Sequence, residues 1–257
     1  MKSDDEAVFT PSDFIQYLAE TRKVKVENLR LPNRLIMTYH RRIYEDAKRL
    51  VNGGTVDWWI YGDTRPFCVG KANDVEVGVG CFWVGAPAAV MTLEEVIACG
   101  VSIIFEVGFC GGLQPFVQPG SILVVNEAIR DEGTSGHYLP TNVPVKSSIR
   151  LRKKLIECLN KEKIKYFAGS VWSTDGVYRE TRGKFRKFKK EGVLGVDMET
   201  SSIFALARYR NVEAASTQIV SDILTETEWQ THFFGHEQVR KNSKILIKTV
   251  VEAISGS

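Results

Sequence analysis

The residues best suited to chemistry are carboxylates at the ends of apolar runs. In "VSIIFEVGFCGGLQPFVQPGS" (101–121) a strand-like stretch, 101–107, gives way to Gly108, Gly111 and Gly112. A strand feeding a glycine-rich turn leaves backbone N–H groups free to hold an anion. Glu106 stands two residues before the first of these glycines, so a negative charge sits at the lip of the expected cradle. Cys110 lies in the same stretch and has the chemistry of a nucleophile, although free cysteine more often serves as a small packing residue. Asp197 and Glu199 in "GVDMETSS" open a helix, where carboxylates favour the dipole. Asp222 in "IVSDIL" ends another apolar run and could cap the next segment of chain. No His/Cys/Asp cluster has ligand spacing, so neither a metal nor an organic cofactor is expected.

These residues act together only if the fold brings them to one place. Helical patterns fall at 11–22, 41–51, 86–100, 147–163, 200–210 and 236–254. Strand patterns fall at 34–40, 56–62, 75–85, 101–107, 121–129, 165–175, 192–199 and 214–222. Pro87 early in the third helix and Gly100 at its end are the usual start and stop residues. Strands alternating with helices imply an α/β fold with a mostly parallel or mixed central sheet flanked by helices. With no repeat or linker, 1–257 reads as a single domain, with an N-terminal extension (1–32) and a core from about 33 to 254. Ligands of such folds bind beyond the C-terminal ends of the strands. That rule points to 39–42, 108–112, 174–179, 197–199 and 222.

Composition excludes several classes. The 257 residues are 44% hydrophobic and 25% charged, as in an ordinary soluble globule. A net charge of +3 is too small to imply nucleic acid or an anionic membrane as partner. No apolar run reaches membrane-spanning length, and "MKSDDEAVFT" is too acidic and polar for a signal peptide. The five cysteines are odd in number and lack Cys-x-x-Cys spacing, which suits a reducing, cytoplasmic setting. In the basic run "RGKFRKFKK" (182–190) Phe185 and Phe188 share a helix face and should pack inward, leaving the charges solvated. Trp58, Trp59 and Trp83 suit either core packing or a subunit interface.

Four segments taken in order resemble one family: "GAPAAVMTLEEVIACGV" (85–101), "VGFCGGLQPFVQPGSILVVNEAIRDEGTS" (107–135), "GVDMETSSIFALA" (195–207) and "IVSDIL" (219–224). They are similar to the nucleoside phosphorylase-I family, which holds purine nucleoside phosphorylases, uridine phosphorylases and related nucleosidases such as AMP nucleosidase. "VDME" before a helix, with "VSD" about 25 residues later, is the most specific part. The resemblance implies a central mixed sheet curled into a distorted barrel. It implies an enzyme that cleaves the bond between ribose C1′ and a base nitrogen of a nucleoside. It also implies a homo-oligomer, dimer-based and up to a hexamer, because such sites are completed across a dimer interface. Inorganic phosphate would be the co-substrate if the reaction is phosphorolytic.

Carried onto this sequence, the resemblance assigns roles. Glu199 would accept hydrogen bonds from the cis 2′ and 3′ hydroxyls and stabilise the cationic sugar of the transition state. Met198 would pack on the sugar face, with Asp197, Gly111 and Cys110 also at the substrate. Asp222 would protonate N7 of a departing purine, while Tyr178 stacks on the base and Arg179 touches it. The uridine branch does not normally present an Asp at this place, and "VYRETRGK" does not cleanly match its Gln and Arg pattern, so purines are favoured and uridine stays open. Gly108, Phe109, Arg41 and Arg42 fall where phosphate is held. Phosphorolytic members carry an Arg in place of Glu106 and a hydroxyl residue in place of Phe109. An ionised Glu106 about 4 Å from phosphate would cost about 4 kcal/mol per unit charge at an effective dielectric of 20. Three readings remain open at this point. Glu106 pairs with Arg41, Arg42 or Arg65; or water replaces phosphate and Glu106 activates it, as in a nucleosidase; or Glu106 turns into the core beside a lysine. A non-catalytic nucleoside-binding relative is a further alternative. His40 and His137 are weaker candidates for a sugar contact.

Overall fold

The computed structural model describes residues 7–231 and 236–257. Its centre is β5 (Ile103–Gly112), an apolar strand with β1 (Arg34–Thr38) parallel on one side and β10 (Glu213–Leu224) parallel on the other. From β10 the sheet continues through β6 (Ile122–Asp131), β8 (Phe167–Thr174) and β9 (Gly195–Asp197), and β9 pairs back onto β5. These five strands form a closed barrel. The other wing runs from β1 to β4 (Val75–Cys81), β3 (Phe67–Ala72) and the short β2 (Gly54–Thr55). β7 (Val145–Lys146) and β11 (Trp229–Gln230) add edge pairings to β6 and β10. Parallel and antiparallel pairs coexist, so the expected mixed sheet with a distorted barrel is the fold observed.

Seven α-helices flank the sheet among the described residues. α2 (Arg41–Leu50), α4 (Ile149–Lys161) and α7 (Glu237–Ser255) share one apolar cluster through Ile43, Leu151, Leu246 and Val250. α1 (Pro11–Arg22), α3 (Ala86–Ala98) and α6 (Thr200–Tyr209) share the other through Leu18, Leu93 and Phe204. Leu246 and Val250 are fully buried, and truncating such a leucine to alanine typically costs about 2–5 kcal/mol. α5 (Arg182–Lys190) buries Phe185 and Phe188, the latter against Trp172, as its spacing predicts. None of the described helices is long and apolar enough to cross a membrane.

Two local expectations are overturned. The glycine-rich stretch is not a turn: β5 runs through Gly112, with Gly108 opposite Gln218 and Gly111 opposite Asp222 of β10. Its backbone is committed to the sheet ladder rather than to an anion. Gly108 is glycine because of close approach, since a Cβ there would lie 2.4 Å from Gln218 Oε1. The stretch 56–62 is a series of turns, not a strand. Its aromatics are there for packing: the Trp59 indole donates to the Arg65 carbonyl at 2.7 Å and its ring lies against Phe67. The strand of this region is β3, which lacks the apolar density of 56–62 in sequence but pairs along its whole length with β4.

Candidate functional site

The segments at the C-terminal ends of β1, β5, β8, β9 and β10 enclose a cavity of about 460 Å³. β9 ends at Asp197, and Met198 and Glu199 carry the chain into α6. Glu199 is 5% exposed on the cavity wall. Its Oε1 accepts the Gly85 N–H at 2.6 Å and its Oε2 accepts the Met198 N–H at 3.2 Å. Gly85 holds φ +97° at the head of α3, a conformation that only glycine adopts readily. Burial, then the neighbouring charge of Asp197, push the Glu199 carboxyl up to about 8.

Asp222 stands on the same cavity, half-buried, just past an irregularity in the β5–β10 register. Its Oδ1 accepts the Ser221 hydroxyl at 2.5 Å and its Oδ2 the Trp229 indole N–H at 2.8 Å. Gly111 faces it, and a side chain there would begin 3.1 Å from Asp222 Oδ2. A 3-10 turn after β8, Val177–Arg179, sets Tyr178 at the mouth with 94% of its surface exposed. Glu180 follows on the wall, and burial together with the charge of Asp222 raises its carboxyl to about 7. The cavity therefore gathers Asp222, Glu199, Met198, Asp197, Tyr178, Gly111, Cys110 and Phe109. Arg179 is exposed and does not line it.

Glu106 does not line it either. It is fully buried in the middle of the sheet, between Met37 of β1 and Ser216 of β10. Its partners are neutral donors rather than the arginines or lysine expected. Tyr39 donates to its Oε1 at 2.7 Å and Thr200 Oγ1 lies 3.0 Å from its Oε2. The same Thr200 hydroxyl also bonds Asp197 Oδ2 and stands 3.2 Å from Ser216 Oγ. One hydroxyl carries one proton, so it cannot donate to two ionised carboxylates at once. The arrangement therefore favours a proton on the Glu106–Asp197 pair over two ionised carboxylates. Burial raises both carboxyls, Glu106 to about 7 with help from the charge of Asp197, and Asp197 to about 6. Tyr39, which lines the cavity beside Asp197, is held well above its ordinary value by burial and then by Glu106. Ser173 fixes Asp197 Oδ1 at 2.5 Å, and Gln218 reaches its Oδ2 at 3.3 Å.

The remaining residues expected at phosphate are dispersed. Arg41 is exposed and ion-paired with Glu45 at 2.8 Å. Gly108 faces Gln218 inside the barrel. Arg42 lines a second cleft, about 270 Å³, with Arg240 and Lys244 of α7. His40 and Phe109, in edge contact at 5.3 Å between ring centres, border both this cleft and the larger cavity. Burial and Arg42 lower the His40 pKa. His137 lies elsewhere, in a groove under α1. Burial pushes the Cys110 thiol well above its ordinary value, which fits a packing residue. Among the described residues, no cluster of three or more His, Cys, Asp or Glu could hold a metal ion.

Sequence reasoning missed Glu180 and Trp229. Glu180 follows Tyr178 by two residues, close enough to share its turn. Trp229 returns to Asp222 only through the β10–β11 hairpin, whose "TETE" turn carries no glycine or asparagine signal.

The family model described as the phosphorylase superfamily matches residues 44–255. A purine nucleoside phosphorylase of DeoD type from Alkaliphilus metalliredigens is 30% identical over 189 residues, covering 68% of this chain and 77% of that protein. A uridine phosphorylase from Thermococcus kodakarensis is 27% identical over 158 residues, covering 56% of this chain and only 57% of the relative's own length. Among solved structures, uridine phosphorylase from Vibrio fischeri superposes with a TM-score of 0.80 at 23% identity, covering 90% of this chain and 95% of that one. This last likeness concerns the fold.

Proposed function

Because the chain belongs to the phosphorylase superfamily, we propose that it cleaves the N-glycosidic bond of a nucleoside, purine in preference to pyrimidine, by phosphorolysis. The observation that carries this reading is the pairing, in one cavity, of Glu199 anchored by two backbone N–H groups and Asp222 anchored by Ser221 and Trp229. Purine and uridine phosphorylases both stand among its relatives.

In this mechanism the C1′–N9 bond breaks and its electron pair passes into the base. A protonated Asp222 donates to N7, so the base leaves neutral, and the Asp222 carboxylate then regains a proton from solvent. Glu199 accepts from the ribose hydroxyls and, ionised, stabilises the positive charge developing on the sugar. A phosphate oxygen forms the new bond to C1′, giving ribose 1-phosphate. The phosphate approaches from the side of His40 and Phe109, where Arg42, Arg240 and Lys244 supply positive charge. The withdrawal of Glu106 from the cavity supports phosphorolysis over hydrolysis, because it removes the carboxylate that would have activated a water. Assembly into a dimer-based homo-oligomer belongs to the same proposal. The exposed Phe9 and Met91 around a groove of about 920 Å³ support it, and sedimentation tests it.

The deciding experiment incubates the protein with adenosine, inosine, guanosine, uridine and AMP, with and without inorganic phosphate, and assays free base, ribose and ribose 1-phosphate. Phosphate-dependent release with ribose 1-phosphate is expected. Phosphate-independent release of free sugar would make the protein a nucleosidase. Binding without release would make it a nucleoside-binding relative.

A further inference from the structure

An acid that hands a proton to a departing base works only while its oxygens are aimed at that base. Asp222 has little on its own strand to aim it. It is half-buried, it follows an irregularity in the β5–β10 register, and Ser221, which donates to its Oδ1 at 2.5 Å, is its neighbour in the chain. The Ser221 hydroxyl also has a second acceptor within reach, the Cys110 carbonyl at 3.4 Å. Among the described residues, the one hydrogen bond to Asp222 from another element is the Trp229 indole N–H on Oδ2, at 2.8 Å. Trp229 is 57% exposed, so core packing does not account for it. The hairpin that carries it is short but closed. Two register pairs join β11 to β10, Ile223 with Gln230 and Leu224 with Trp229. The Thr225 hydroxyl donates to the Glu228 carbonyl at 3.0 Å and accepts the N–H groups of Thr227 and Glu228 at 3.3 and 3.0 Å. Arg186 of α5 holds the same turn through Glu226 at 2.8 Å.

We infer that Trp229 is the positioning residue of the proton donor: its indole N–H fixes the plane of the Asp222 carboxyl so that an oxygen faces the departing base. This rests on the reading of the cavity as a nucleoside site with Asp222 as its acid. A carboxyl offers about four lone-pair positions, and Ser221 and Trp229 take one each. The positions left over serve the proton that passes to N7. An indole N–H donates and cannot accept, so it holds one side of Oδ2 without competing for that proton. Gly111 keeps the same oxygen clear, since a Cβ there would lie 3.1 Å from Oδ2. Without the indole bond the carboxyl is free to turn about its Cβ–Cγ bond. A reacting group displaced by about 1 Å can lose about 10²-fold in rate. Trp229 acts through Asp222, so its contribution appears only where the leaving base must be protonated.

The test compares native protein with Trp229→Phe, which keeps a ring and removes the N–H, on two kinds of substrate. Adenosine, inosine and guanosine need a proton on the base as it leaves. Their 7-methyl derivatives need none, because N7 is already substituted and the base departs neutral. A 4-nitrophenyl riboside needs none either, because its phenolate is stable. Trp229→Phe should lower kcat for the unmodified nucleosides by about tenfold or more, a share of the roughly 10²–10⁴-fold that a general acid contributes. KM and melting temperature should stay near native values, and the 7-methyl and 4-nitrophenyl compounds should be cleaved near the native rate. Thr225→Ala, which loosens the hairpin from outside the cavity lining, should show the same selective loss to a smaller degree. Equal loss on both kinds of substrate would make Trp229 a wall of the site, and no loss on either would leave the indole bond without function. Each overturns the inference while nucleoside cleavage stands. Native protein that releases base from none of these compounds would overturn the nucleoside reading and the inference with it.

Discussion

Glu106→Gln is the sharpest test of the buried acid network, and it does not depend on what the cavity binds. Thr200 Oγ1 stands 3.0 Å from Glu106 Oε2 and bonds Asp197 Oδ2, so the two nearest carboxyl oxygens lie within about 5.5 Å. Two unit charges at that separation repel by about 3 kcal/mol at an effective dielectric of 20. Both groups have folded pKa values raised above their ordinary ones, to about 7 for Glu106 and about 6 for Asp197. The folded state therefore holds protons that the unfolded chain has released. The stability this gives is fully present below about pH 4 and is lost as pH rises through 6 to 7. Glutamine preserves the local bonds: its oxygen still accepts from Tyr39, and its NH2 can donate to Thr200, which gives its own proton to Asp197. The variant should match native protein at pH 5, where Glu106 is protonated. At pH 8.5 it should be more stable by about 3 kcal/mol, raising the melting temperature by about 5–10 °C for a chain of this size. Scanning calorimetry at both pH values decides it. A gain of equal size at pH 5 and 8.5, or a loss at pH 8.5, would refute the argument that Glu106 sits as a destabilised buried charge.

Four further outcomes are expected. Glu199→Gln should lower kcat by about 10²–10³-fold, the usual cost of removing one group aimed at transition-state charge, and lower the melting temperature somewhat, because the amide can accept from only one of Gly85 and Met198. The kcat/KM of native protein should rise with pH through about 8 as Glu199 ionises in the free enzyme; a profile flat from pH 6 to 9 would contradict its role. Gly108→Ala drives a methyl to 2.4 Å from Gln218 Oε1 and should cost about 1–3 kcal/mol by overpacking, read from denaturant unfolding. Replacing Arg240 and Lys244 together by glutamine should raise the KM for phosphate while leaving the KM for nucleoside near its native value.

Much of the architecture was legible because it rests on local periodicity. Helix α1 begins and ends where its pattern does, and the five segments picked out by strand ends, from 39–42 to 222, all contribute to the cavity. What failed were readings that needed the other side of the sheet. Gly108, Gly111 and Gly112 look like a turn when read along the chain. They are a strand because β10 and β9 lie too close for side chains, a fact carried by Gln218, Asp222 and Val196 in distant parts of the sequence. Glu106 misled for the same reason. Its neighbours in sequence are apolar, and the hydroxyls of Tyr39 and Thr200 that make its burial tolerable arrive from just past β1 and from the start of α6. Residues 56–62 read as a strand because aromatic density is a strand signal, whereas here Trp59 and Tyr61 pack over turns.

The proposed reaction asks one small region to serve ligands of opposite charge, and the position of Glu106 bears on how it could. The sugar becomes cationic, so the wall beside it should be acidic, and Glu199 and Asp197 stand there with Glu106 behind them. A phosphate dianion placed against that wall would be repelled, and among the described residues no arginine or lysine lines the cavity to offset it. The basic groups are instead gathered on the far side of His40 and Phe109, on α2 and α7. Acidic and basic regions are thus divided by two rings, one of them an imidazole that burial and Arg42 keep neutral. In the proposed reaction the nucleophile would meet C1′ along the line from the basic cleft to the acidic wall, and the positive charge developing on the sugar would lie between two negative partners only while the bond is changing. Glu106 has no part at the surface of that arrangement. By holding a proton with Asp197 it limits how much negative charge the wall carries when the cavity is empty, and so keeps the acid network compatible with folding.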